Sequence, residues 1–195
     1  MKATTRVLSL IAVLALAPAA RAQVEGKNPP RPTPAPPTAP TSGPQLRPNS
    51  SGQVQMGELA PNFELDGSRG KPVKLSSYRG HWLLLTFGDR KEHFAPLQQV
   101  SAELDSSDIR LLGVCGEKGY NLVAYAKREN LSFVVLADLT REISELYGLY
   151  DWQERKVLPG YLLISPEGEV RLALLGQSFP PADVARLARY VTGRL

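Results

Sequence analysis

The sequence predicts an α/β fold with a mixed central sheet and helices on both of its faces, and three observations carry that prediction. A continuous apolar run, residues 82–87 (Trp-Leu-Leu-Leu-Thr-Phe), and a second, largely apolar run, 109–115 (Ile-Arg-Leu-Leu-Gly-Val-Cys), are separated by a segment of helical spacing. Runs of this length fit strands buried on both faces, which need covering layers above and below. Near the end, residues 161–164 and 170–175 bracket Ser165-Pro166-Glu167-Gly168, a turn sequence that reads as an antiparallel hairpin.

The elements follow in order. After the first buried strand, Pro96 opens a helix, since proline at the first turn costs no hydrogen bond, and Leu97, Val100 and Leu104 recur along one side of it. A strand–helix–strand unit of this kind requires a right-handed crossover and a parallel pair. A helix over residues 121–129, a short strand over 133–137 and a helix capped by Thr140 and stopped at Gly148 come next. The closing helix, 182–192, carries Val184, Leu187, Ala188 and Val191 on one face.

Three regions divide the chain. Residues 1–22 read as a secretory signal peptide, with Lys2 and Arg6 before an apolar run and the small-residue site Ala20-Arg21-Ala22 after it. The run is too short to cross a bilayer of about 30 Å, and no transmembrane segment is expected elsewhere, so the expected location is periplasmic or extracellular. Residues 23–52 hold nine of the 17 prolines and should form an extended tether that builds no core. Residues 53–195 are the right size for one domain. The sequence pI of 9.3 suggests a polyanion binder. However, six of the basic residues precede the domain, which keeps 17 basic against 18 acidic residues, so no nucleic-acid partner is expected.

Several local sequences resemble the redoxin branch of the thioredoxin-fold superfamily, the peroxiredoxins of the alkyl hydroperoxide reductase and thiol-specific antioxidant type. They are Gly57-Glu58-Leu59-Ala60-Pro61-Asn62-Phe63, Val73-Lys74-Leu75-Ser76-Ser77-Tyr78, Leu136-Ala137-Asp138, Leu146-Tyr147-Gly148-Leu149 and Leu162-Leu163-Ile164-Ser165-Pro166. The resemblance covers nearly the whole domain and implies a thioredoxin-like fold. It also implies a peroxidatic Cys after the central strand, with a Pro and a Thr or Ser before it and an activating Arg beyond. In this chain those places hold Pro96, Asp89, His93 and Pro159. Proline in the nucleophile's place supplies neither an electron pair nor a proton. A Cys-x-x-Cys pair is missing as well, because that window reads Glu92-His93-Phe94-Ala95, and a copper(I) site would find Glu92 and Pro96 where it wants sulfur.

The one cysteine, Cys115, ends a buried strand, where a free cysteine is usually a small hydrophobe. It is nevertheless the only candidate for thiol chemistry. His93 beside Glu92 provides too few ligands for a dedicated metal site, and no cofactor is expected. Pro159 stands where thioredoxin-like relatives carry a cis-proline opposite the reactive loop. The expected binding groove therefore consists of Glu92, His93 and Phe94 facing Leu158, Pro159 and Gly160, and its expected occupant is an extended peptide or protein held by backbone pairing. The function these features suggest is a secreted, catalytically degenerate redoxin module. The alternative is a thiol-dependent oxidoreductase or antioxidant working through Cys115.

Overall fold

The computed structural model describes residues 54–194, so the expected leader and the proline-rich tether lie outside the described residues. The central sheet has five strands in the order β5-β4-β3-β8-β9. β3 (Trp82–Gly88), β4 (Ile109–Cys115) and β5 (Val134–Ala137) run parallel, with Trp82 opposite Ile109 and Leu112 opposite Val134. β8 (Gly160–Ile164) returns antiparallel to β3, and β9 (Val170–Leu175) closes the hairpin that the turn residues announce. Gly168 takes φ of +88° in that turn, a conformation glycine adopts without strain. The Arg79 guanidinium lies against it, in the space a Cβ would take.

Alternation along each strand sorts the core into two layers. Leu83, Leu85 and Phe87 join Leu112, Val114, Leu162 and Ile164 on one face, where Phe63, Leu75, Tyr147 and Leu149 cover them. Leu84, Ile109, Leu111, Cys115 and Leu163 face the other way, toward α1 (Gln98–Ser106), α2 (Gly119–Arg128) and α4 (Pro181–Val191). Tyr147 fills the first layer, and its hydroxyl donates to the carbonyl of Pro61 at 2.7 Å. A ring of this size stays buried because its one polar atom is satisfied.

Four features differ from what the sequence suggests. Two short hairpins appear that it did not announce, β1 (Glu64–Asp66) with β2 (Pro72–Lys74), and β6 (Tyr150–Asp151) with β7 (Lys156–Val157). Thr140 does not cap α3 (Glu142–Leu146). Arg141 stands at the cap with φ of +64°, and the amides of Ile143 and Ser144 turn instead to the buried Asp138 carboxylate. In α4 Ala185 is buried while Leu187 is exposed, a rotation of the buried face from the expected one. α2 begins two residues early, at Gly119.

The free side of β5 is partly covered. The Ser68 amide donates to the Val135 carbonyl at 2.8 Å, and the Val135 amide donates to the Ser68 hydroxyl at 3.0 Å. Satisfying edge groups in this way blunts pairing with other chains.

Candidate functional site

The loop from β3 to α1 is built of two 3-10 turns, Lys91–His93 and Ala95–Leu97. Two contacts tie it to the rest of the domain. The Asp89 carboxylate accepts the Val157 amide at 3.1 Å, binding the loop to β7. The Lys91 ammonium reaches both Glu117 carboxylate oxygens at 2.9 Å, binding it to the segment after β4. That hydrogen bond to Glu117 holds the Lys91 pKa above the usual lysine range, against the smaller cost of desolvation.

Beneath the loop lies Cys115, fully buried and unpaired. Its thiol points to the Asp89 carbonyl at 3.8 Å, a weak hydrogen bond at most. Burial pushes the thiol up to about 12 against a backbone hydrogen bond at Glu117, and the nearby Glu117 and Asp89 carboxylates add to the rise while Lys91 opposes it. At neutral pH the group is therefore a thiol, and the thiolate that attacks peroxides or disulfides is all but absent.

Phe94 does not face a ligand, which corrects its expected place in the groove: it is fully buried. Its ring lies on Gly113, where an added Cβ would stand 2.7 Å from Cε1. Glycine is required on β4 at this point because another element's ring fills the side-chain space. His93 sits over Gly88 in the same manner, exposed, with Nδ1 at 2.7 Å from where a Cβ would be. Because Phe87 is opposite Gly160 in the sheet, the register continues toward Gly88 beside Pro159, and His93 lies over Gly88.

Of the six expected groove residues, Glu92 and His93 are exposed, Leu158 and Pro159 are half-buried, and Phe94 and Gly160 are buried. The backbone there is largely committed. The Leu158 amide donates to the Leu149 carbonyl at 2.7 Å and the Pro159 carbonyl accepts from Gly176 at 2.9 Å. The sequence offered no sign of Lys91 and Glu117 as partners, because they are 26 positions apart. Among the described residues no cluster of three or more His, Cys, Asp or Glu side chains could hold a metal, and no helix is long and apolar enough to cross a membrane.

A parallel β3-β4-β5 unit followed by an antiparallel hairpin, with a helix leaving the central strand through this loop, defines a thioredoxin-like fold. The crystal structure of Enterococcus faecalis AhpC superposes with a TM-score of 0.66 at 16% identity, over 72% of this chain and 94% of that one. The crystal structure of peroxidoxin BcpB from Mycobacterium tuberculosis gives 0.65 at 14% identity, over 73% and 99%. At these identities the likeness concerns the fold. The chain belongs to the AhpC/TSA family, whose model matches residues 56–173. Curated relatives include Peroxiredoxin 2 of Thermoplasma acidophilum, 29% identical over 67% of this chain and 69% of that protein. Peroxiredoxin Bcp of Escherichia coli K12 is 25% identical over 54% and 70%.

Proposed function

We propose that this protein is a secreted redoxin-fold binding module that holds a peptide or protein partner at the loop after β3 and performs no thiol peroxidase chemistry there. The observation that supports this most directly is the state of its only cysteine: Cys115 is buried with its thiol pushed up to about 12, and the family resemblance puts Pro96 where the peroxidatic Cys would be. A partner would be held by Glu92 and His93 with the apolar edges of Leu158 and Pro159. Backbone pairing contributes less than in strand addition, because the Leu158 amide and the Pro159 carbonyl already have partners. Panning a display library of random peptides against the full chain tests this. Enriched peptides should lose binding at least tenfold to a Glu92→Ala/His93→Ala variant, and undiminished binding would rule out this surface.

The names of the relatives favour a second reading, a thiol-dependent oxidoreductase or antioxidant with Cys115 as its only thiol. For that chemistry the loop from Asp89 to Phe94 has to lift, an outside thiol has to reduce the oxidised sulfur, and the thiolate has to form in spite of its burial. Peroxide turnover that depends on Cys115 would establish this reading in place of the first.

A further inference from the structure

A second site lies away from that loop, at the end of the sheet where β4 begins. An open cleft of about 480 Å³ runs between α1 and the start of β5. Its lining mixes polar and apolar groups: Ile109, Leu111 and Phe133 reach it only at their edges, and Ala102 and Val134 present more open apolar surface. Arg69 and Arg110 stand in its lining with Tyr78. The volume lies within the usual range for small-molecule pockets, which combine an apolar lining with a few polar anchors.

The two guanidinium groups are not equivalent. Arg110 is paired with the Asp105 carboxylate. Arg69 donates one amino group to the Ser132 carbonyl at 2.6 Å and meets no carboxylate among the described residues. Ser132 is itself fixed, its amide donating to the Gln98 side-chain oxygen at 2.8 Å. Arg69 is thus held in place with part of its planar fork unspent, and such a fork matches a carboxylate. Burial raises the Tyr78 pKa, while Arg69 and Arg110 both pull it down, so both guanidinium groups act on that phenol.

We infer that this cleft binds a small monocarboxylate with an apolar body, the carboxylate on Arg69 and Tyr78 and the hydrocarbon on Ala102, Val134 and the edges of Leu111 and Phe133. Charge selects this class. Two arginines against Asp105 give one net positive charge, which a monoanion neutralises, whereas a phosphate dianion would leave the cleft with a net negative charge. Space is available because β5 pairs with β4 only from Leu112 onward, which leaves no strand opposite Ile109–Leu111 on that side.

The probe is octanoate, titrated into the isotopically labelled full chain and followed by amide and arginine side-chain NMR shifts. Saturable shifts at residues of this cleft are expected, weakened at least tenfold by Arg69→Gln and less by Arg69→Lys, which keeps the charge but loses the fork. Arg69 is exposed, so both variants should fold, and their thermal melts check this. The inference is overturned if octanoate causes no saturable shift, if octan-1-ol binds as well, if inorganic phosphate displaces octanoate at lower concentration than octanoate itself needs, or if Arg69→Gln binds unchanged. Because the cleft shares no residue with the loop after β3, its failure would leave the proposed function standing.

Discussion

Cys115 shows how burial decides chemistry one residue at a time. An unfolded thiol of this type ionises near 9.0, and the folded one at about 12. The raised value means that the native state keeps its proton when the unfolded chain has begun to lose it. The associated stability is complete below pH 9 and is lost as pH rises from about 9 to 12. A Cys115→Ala variant should therefore show a flatter decline of unfolding free energy across that window than the wild type, as measured by urea titration at a series of pH values. Parallel curves would mean that the thiol is not protected. At pH 8 the thiolate fraction should be on the order of 10⁻⁴, so labelling by an aromatic disulfide reagent should be slow and should need at least local opening of the loop over the thiol. Much of this residue's character was legible beforehand, since a cysteine ending an apolar strand is usually packed. The position of Phe94 was not legible, because nothing local reveals that Gly113, 19 positions away, leaves room for a ring.

Short elements here are set by contacts from outside the element itself. α3 has five residues and no side-chain cap at its cap residue, and its first amides are satisfied by Asp138 at 3.3 and 2.7 Å, with the Ser144 hydroxyl donating to the same carboxylate at 2.7 Å. Asp138→Ala should cost about 2–3 kcal/mol in a denaturant titration, since it strands buried donors at a helix start. A loss under about 0.5 kcal/mol would show that the cap is dispensable. The loop over Cys115 is latched similarly, by Asp89 on the Val157 amide and Lys91 on Glu117. Asp89→Ala should speed native-state labelling of Cys115 at least tenfold with little change in global stability, and an unchanged rate would show that this latch does not guard the thiol. The long buried strands were readable because their sequences are mostly apolar, and the sequence and the structure agree on Ile109–Cys115. The hairpins β1–β2 and β6–β7 escaped because strands of three and two residues, mixed with charged side chains, carry no periodicity to read. The cap was misplaced because Thr140 fits by residue type, whereas the left-handed Arg141 turns the chain back toward Asp138.

For the whole molecule, family membership and reactive chemistry point in different directions. The fold of the AhpC/TSA family is retained from the β1–β2 hairpin to β9, because its landmarks are packing residues such as Phe63, Tyr147 and Leu162. The site was legible mainly through what it lacks, and the replacing contacts, Lys91 with Glu117 and Asp89 with Val157, exist only in three dimensions. Export is a further expectation at this scale. Intact-mass analysis of the protein recovered outside the cytoplasm should find Gln23 or its cyclised form at the N-terminus, and a mass that includes residues 1–22 would refute cleavage after Ala22.

The central claim is that the redoxin fold persists here without the redoxin's thiol chemistry. Its most direct test is peroxide consumption by the purified protein, supplied with a dithiol reductant, beside a Cys115→Ser variant. The account predicts that the two proteins consume hydrogen peroxide and an organic hydroperoxide at the same rate, no faster than the reductant alone. Turnover by the wild type that disappears in Cys115→Ser would contradict it and make this chain a single-cysteine thiol peroxidase.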